Sequence, residues 1–172
     1  MGDLTAPEAL SRRWAEIIAD PVMHGLPYKI ELNARGKIEM SPASNAHGRS
    51  QSRVCAELLR LLPEGEVITE ASVLTSIGVR VPDVAWASRR FVETHGMATP
   101  FPRAPEICVE IESPSNSEGE MQEKIAAYLA AGAEEVWLVS EQGRIRFFGT
   151  SGESATSAFG IRPLLPPPVV TP

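Results

Sequence analysis

Apolar and polar positions along this chain change period several times, and each change marks the edge of an element. From Ala6 to Ala19, Leu10, Trp14, Ile17 and Ile18 fall at helical spacing, which predicts a helix that stops at Asp20-Pro21. In "YKIELNARGKIEM", Tyr28, Ile30 and Leu32 alternate, Asn33 to Gly36 supply a turn, and alternation resumes from Lys37 to Met40, which predicts a β-hairpin. Helical spacing returns with Val54, Leu58, Leu59 and Leu62, in a segment that opens at Asn45 and is stopped by Pro63.

"EVITEASVLT" reads as one strand and "GVRVPDVAWAS" as a second. Pro82 interrupts the latter and, lacking an N–H for the ladder, points to an edge, a bulge or a strand start. "RRFVETHG" reads as a helical turn and Pro100 to Pro105 as a rigid connector. Then come a strand in "EICVEIES", a helix from about Ser117 to Ala131 with Gly132 in C-cap position, and the strands "EEVWLVS" and "RIRFFGT" joined at "EQG". The ending "IRPLLPPPVVTP" holds too much proline for regular structure. The order predicts an α/β fold, a mixed central sheet flanked by helices with an N-terminal helix and hairpin. We expect one domain over residues 1–160 and a proline-rich tail, docked or loose, over 161–172.

With 172 residues and 43% apolar content, the chain can bury a real core. No apolar run approaches the ~20 residues that cross a bilayer, and the N-terminus lacks a charged-then-apolar leader, so a soluble, cytoplasmic protein is expected. Cys55 and Cys108 sit apart in apolar stretches and read as small buried hydrophobes. A net charge of −6 argues against a general polyanion binder, because phosphate is gripped mainly by Lys and Arg. It leaves room for a metal-dependent nuclease, whose site needs carboxylates and whose substrate can meet a local basic patch.

The segment "PEICVEIESPSN" adds chemistry. Residues two apart in a strand share a face, so Ile107, Val109 and Ile111 pack on one side while Cys108, Glu110 and Glu112 line the other. A half-exposed edge strand would explain the two glutamates as a solvated face. Asp83 in "RVPDVAW" is either a turn aspartate after Pro82 or a carboxylate at the rim of the core. Beside Glu110 it would offer the hard oxygen ligands that Mg²⁺ takes. Lys124 borders the apolar stripe Met121, Ile125, Tyr128 and Leu129. Either its stem lies along that face, or it reaches back over the end of the Glu110 strand. His47, near a helix start, and Glu70, upstream of Asp83, are accessory candidates whose plain alternatives are a capping histidine and a solvated glutamate. No Gly-x-Ser-x-Gly elbow, phosphate-cradling Gly-x-x-x-x-Gly-Lys loop or Cys/His zinc spacing is present. For a carboxylate-pair glycosidase, 6% aromatics is thin.

In order and spacing, "RVPDVAW", "PEICVEIESPSN" and "EMQEKIAAYLAAGAEEVWLVS" resemble the bacterial Uma-two endonuclease family of the PD-(D/E)XK, restriction-endonuclease-like superfamily. "YKIELNARGKIEMSPASNAHGRSQSRVCAELLRLL" is similar to that family's hairpin and His-bearing helix, and the resemblance covers residues 25 to 150 roughly. It implies a restriction-endonuclease-like fold, with Asp83 and Glu110 as the metal-binding acids. The superfamily's usual lysine slot, two residues after that glutamate, here holds Glu112, and the resemblance implies that Lys124 supplies the lysine from the helix instead. Glu112 is then a third metal ligand or a mark of drift, and Glu120 stands where relatives often carry aspartate. The implied activity is hydrolysis of nucleic-acid phosphodiesters, with DNA as the expected partner and Mg²⁺ or Mn²⁺ as cofactor. A homodimer would suit cutting both strands. The alternative is a catalytically inactive nuclease-like scaffold that binds DNA or protein, which Glu112 and the acidic charge favour.

Overall fold

The computed structural model describes residues 6–42, 44–114 and 116–166. The first elements are α1 (Ala6–Ala19), α2 (Pro21–His24), β1 (Tyr28–Asn33), β2 (Ile38–Pro42) and α3 (Asn45–Leu61). Next come β3 (Glu66–Thr69), β4 (Val73–Thr75), β5 (Gly78–Arg80), β6 (Val84–Ala87) and α4 (Arg89–His95). The chain continues through β7 (Ile107–Ile111), α5 (Glu118–Ala130), β8 (Glu135–Val139), β9 (Ile145–Gly149) and β10 (Gly152–Ser154). Both long inner helices begin on serine caps. The Ser44 side chain accepts from the His47 N–H, and Ser117 forms a reciprocal capping box with Glu120, which gives Glu120 a local structural role.

The two strands expected between residues 66 and 87 are four, and they belong to two sheets. An antiparallel sheet runs β2-β1-β5-β4, while β3 and β6 join a six-stranded sheet ordered β10-β9-β8-β7-β6-β3, mixed because β7 and β8 are parallel. The chain therefore changes sheet at two places where the apolar pattern gives no sign of it. One is near Glu70, whose φ of 57° is left-handed and costs a non-glycine residue about 1–2 kcal/mol. The other is Val81-Pro82-Asp83, between β5 and β6, where proline leaves no N–H to go unpaired at the crossing.

The six-stranded sheet is covered on both faces. Met121, Ile125 and Tyr128 of α5 and Phe91 of α4 pack on Cys108, Val136, Leu138 and Phe148. Val54 and Leu58 of α3 pack on Ile107, Val109, Ile111 and Trp137 across the other face. β7 lies inside the sheet with all five residues buried, so it is not an edge strand. The first part of the proline-rich tail is docked. Ile161 and Leu165 pack on the α3 layer, and the Leu164 N–H donates to Glu57 at 2.9 Å.

In the smaller sheet, α1 packs Leu10, Trp14 and Ile17 against Leu32, Val79 and Val81. Strands β1 and β5 approach closely at Gly78, where φ is +124° and a Cβ would lie 2.0 Å from the Leu32 carbonyl oxygen. With its apolar face turned to α1, β1 offers its other face, Lys29 and Glu31, to the six-stranded sheet. Among the described residues, no helix is long and apolar enough to cross a membrane.

Candidate active site

The site forms where the two sheets meet. Asp83 stands on the crossing from β5 to β6, Glu110 is the penultimate residue of β7, and only 2% and 3% of these residues is exposed. The Ile111 N–H donates to Asp83 Oδ2 at 2.7 Å, tying the crossing to the end of β7. From α3, one turn apart, His47 Nε2 lies 3.2 Å from Asp83 Oδ1 and Gln51 donates to the Asp83 carbonyl at 2.6 Å. From α5, also one turn apart, Tyr128 donates its hydroxyl proton to Glu110 Oε1 at 2.7 Å and Lys124 Nζ lies 3.4 Å from the same oxygen.

β1 completes the cluster. Lys29 Nζ is 2.7 Å from Asp83 Oδ1 and 3.6 Å from Glu110 Oε2, so its ammonium lies between the two acids. Glu31, two residues on, takes Lys124 Nζ at 3.0 Å and accepts from the Val81 N–H at 2.8 Å. Glu31 and Glu39 are directly opposed across β1 and β2, a repulsive pairing that Arg80 of β5 relieves by contacting both. The result is an alternating chain of charge: Asp83, Lys29, Glu110, Lys124, Glu31, Arg80.

The carboxylates do not feel the same surroundings. Burial pushes the Asp83 carboxyl up, but the hydrogen bond from His47 and the charges of Lys29 and His47 outweigh it, leaving its pKa well below the usual carboxylate range. Glu31 is likewise lowered, burial being outweighed by Lys124 and Lys29. For Glu110 burial wins. Lys29 and Lys124 offset it only in part, Asp83 and Glu31 add repulsion, and its pKa is raised. Burial disfavours the Lys29 ammonium, yet Glu110, Asp83 and Glu31 together hold its pKa above the normal lysine range. Tyr128 is pushed well up, chiefly by burial, and stays a neutral donor.

Asp83, Glu110, Lys124 and His47 are thus brought together, and two other candidates are not. Glu112 lies beyond the end of β7, half-buried, with its N–H on the Val139 carbonyl and its charge acting on Arg146 of β9. Glu70 is exposed and lines an apolar groove with Trp14, Tyr28 and Ile30. Lys29, Glu31 and Tyr128 are site residues that sequence reasoning missed. The alternation of Lys29 and Glu31 with Ile30 and Leu32 reads as the solvated face of a hairpin, and Tyr128 reads as part of the apolar stripe of its helix.

The donor set suits a divalent cation in kind: two buried carboxylates side by side, with Glu31 behind them. No group of three or more His, Cys, Asp or Glu side chains converges as a metal cage among the described residues. Next to the pair, a cavity of about 200 Å³ is lined by His47, Arg49, Ser50, Arg53, Ile111 and Glu112. Its wall carries Arg49 and Arg53 together with Glu112 and Glu141.

The Uma2 family model, described as "Putative restriction endonuclease", matches residues 21–167. Among solved structures, "a putative nuclease belonging to DUF820 from Anabaena variabilis ATCC 29413" aligns with a TM-score of 0.60 at 18% identity, over 92% of this chain and 92% of that one. A DrdV–DNA complex aligns at a TM-score of 0.41 and 11% identity over 91% of this chain and 12% of that one, too weak a likeness to carry an argument. No curated protein matches the chain. The architecture is the restriction-endonuclease-like fold, and with the greater part of its length matched by that model, the chain belongs to the Uma2 family.

Proposed function

We propose that this chain is a metal-dependent endonuclease that hydrolyses phosphodiester bonds of nucleic acid, DNA in the first instance. The observation that carries the reading is the gathering of two buried carboxylates and two lysines from four elements: Lys29 lies between Asp83 and Glu110, and Lys124 lies 3.4 Å from Glu110, beside a cavity whose wall includes Arg49 and Arg53. Asp83 and Glu110 would hold Mg²⁺ or Mn²⁺, which when bound supplies Lewis-acid polarisation of the phosphate and a more acidic water. The remaining work falls to the chain itself. The Ile111 N–H and His47 fix the Asp83 carboxylate, and Tyr128 fixes that of Glu110. Lys124, held by Glu31, places a positive charge where phosphate charge builds, an effect worth a few kcal/mol (roughly) in a water-poor site. Arg49 and Arg53 meet flanking phosphates, so the position of charge matters more than its net sign.

Incubation with supercoiled plasmid and Mn²⁺ tests the reading. Nicked and linear products are expected from the wild type, with a loss of about 10²-fold or more in Lys124→Ala. Linear product in the first turnover would point to two copies acting as a pair. An intact plasmid, or cleavage by Lys124→Ala at the wild-type rate, overturns the assignment. Retarded but uncut DNA on a gel would put the inactive binding scaffold in its place.

A further inference from the structure

We infer that Lys29 is a tethered cation that keeps the divalent ion's place between Asp83 and Glu110, so that metal loading is an exchange of the Lys29 ammonium for the ion. The inference rests on the reading of Asp83 and Glu110 as the metal-holding pair. Asp83 Oδ2 takes the Ile111 N–H at 2.7 Å, and Glu110 Oε1 takes the Tyr128 hydroxyl at 2.7 Å and Lys124 at 3.4 Å. The other two oxygens, Asp83 Oδ1 and Glu110 Oε2, are the ones that Lys29 Nζ approaches, at 2.7 and 3.6 Å, and with Lys29 withdrawn the two carboxylates would be the residues to hold a divalent ion. His47 shares Asp83 Oδ1 at 3.2 Å but reaches it from the cavity side, on α3.

An ammonium and a divalent ion cannot share that gap. A divalent ion held by those oxygens would compete with the ammonium for them, and two cations drawn to the same pair repel strongly in a buried site. Lys29 can leave, because its charge is carried on a flexible four-carbon stem and its side chain keeps 14% of its surface in solvent. Lys124 is placed differently. It is anchored to Glu31 at 3.0 Å and contacts Glu110 only through the oxygen that Tyr128 also occupies, so it need not move when the pair is loaded. The two lysines thus divide the work: one remains as a fixed charge, and the other stands in for the ion until it arrives.

The experiment is Mn²⁺ binding by calorimetry to the wild type, Lys29→Met and Lys29→Met/Asp83→Asn, with melting temperature followed across the same Mn²⁺ titration. Lys29→Met should bind Mn²⁺ at least about tenfold more tightly than the wild type, and the double variant should lose the gain. Mn²⁺ should also raise the melting temperature of Lys29→Met by more than that of the wild type. Should Lys29→Met not fold without metal, Lys29→Gln keeps a donor to Asp83 while removing the charge, and the same ordering of affinities is expected. Equal or weaker binding by both Lys29 variants, with a wild type that binds Mn²⁺, overturns the inference and leaves the nuclease reading intact. A gain that persists in the double variant also overturns it, because the ion would then lie elsewhere. Failure of every form to bind Mn²⁺ at millimolar concentration removes the metal pair itself, and the inference falls with it.

Discussion

Glu110 and Glu135 are buried carboxylates on adjacent parallel strands, exposed by 3% and 2%, yet they are satisfied in opposite ways. Glu135 faces the α3 side and accepts from the Trp137 indole N–H, the Ser157 hydroxyl at 2.7 Å and the Ala158 N–H. Those donors are neutral and fixed in place, and they staple the segment after β10 to the start of β8. Glu110 faces the α5 side and takes one neutral donor, Tyr128, with two lysines that it shares with Asp83 and Glu31. Burial alone therefore does not mark a functional carboxylate. What sets Glu110 apart is that two of its three partners are lysines, each shared with a second carboxylate.

Exchanging each glutamate for a residue without charge should separate the two roles. In Glu110→Gln, cleavage of plasmid with Mn²⁺ should fall by about 10³-fold, equivalent to about 4 kcal/mol of barrier. Its melting temperature should stay within a few degrees of wild type. The amide still accepts from Tyr128, and Lys29 and Lys124 keep Asp83 and Glu31. A large loss of stability with intact cleavage would make Glu110 another structural carboxylate. Glu135→Leu should do the reverse. It orphans three donors at about 1 kcal/mol or more each, so calorimetric melting should drop by roughly 10 °C while cleavage well below the melt is retained.

The smallest effect is expected at Glu57, a half-buried carboxylate far from the candidate site. The Glu57 pKa is lowered from its ordinary value of 4.5, first by the hydrogen bond from Arg60 and then, against a small burial penalty, by the Leu164 N–H of the docked tail. A depressed native pKa stabilises the fold above the unfolded value and loses that contribution as pH falls through the native one. Wild type and Glu57→Gln should therefore differ by about 1–2 °C in melting temperature near pH 7 and converge toward pH 3. A gap that persists in acid would mean that the glutamate holds the tail by shape rather than by charge.

Much of this molecule is legible in one dimension, because period and caps are local properties. The spacing of Leu10, Trp14 and Ile17, of Val54 and Leu58, and of Met121, Ile125 and Tyr128 places the helices and these residues are buried, whereas Ile18 and Leu59, read on the same spacing, are exposed. Asp83, Glu110 and Lys124 stood out for a related reason: each is charged in or beside an apolar stretch, where charge needs a partner. Residues 66–87 resisted because both sheets are buried there. Apolar residues run on through Glu70 and Pro82, and the pattern records burial without saying against which sheet.

Lys29 and Glu31 were illegible for the complementary reason. A polar residue at every second position is what a solvated hairpin face looks like, and only the docking of β1 over the end of β7 makes that face interior. Glu112 fails in the other direction. Strand parity put it beside Glu110, but β7 ends at Ile111, and Glu112 lies past it, half-buried on the wall of the cavity that His47 and Arg53 also line. The sequence by itself determined the long helices, the strands outside residues 66–87 other than β10, and three of the charged residues gathered at the candidate site. Tertiary structure alone decided which lysine lies between which acids, because a charge network is set by distances of a few ångströms across chain segments that periodicity cannot relate.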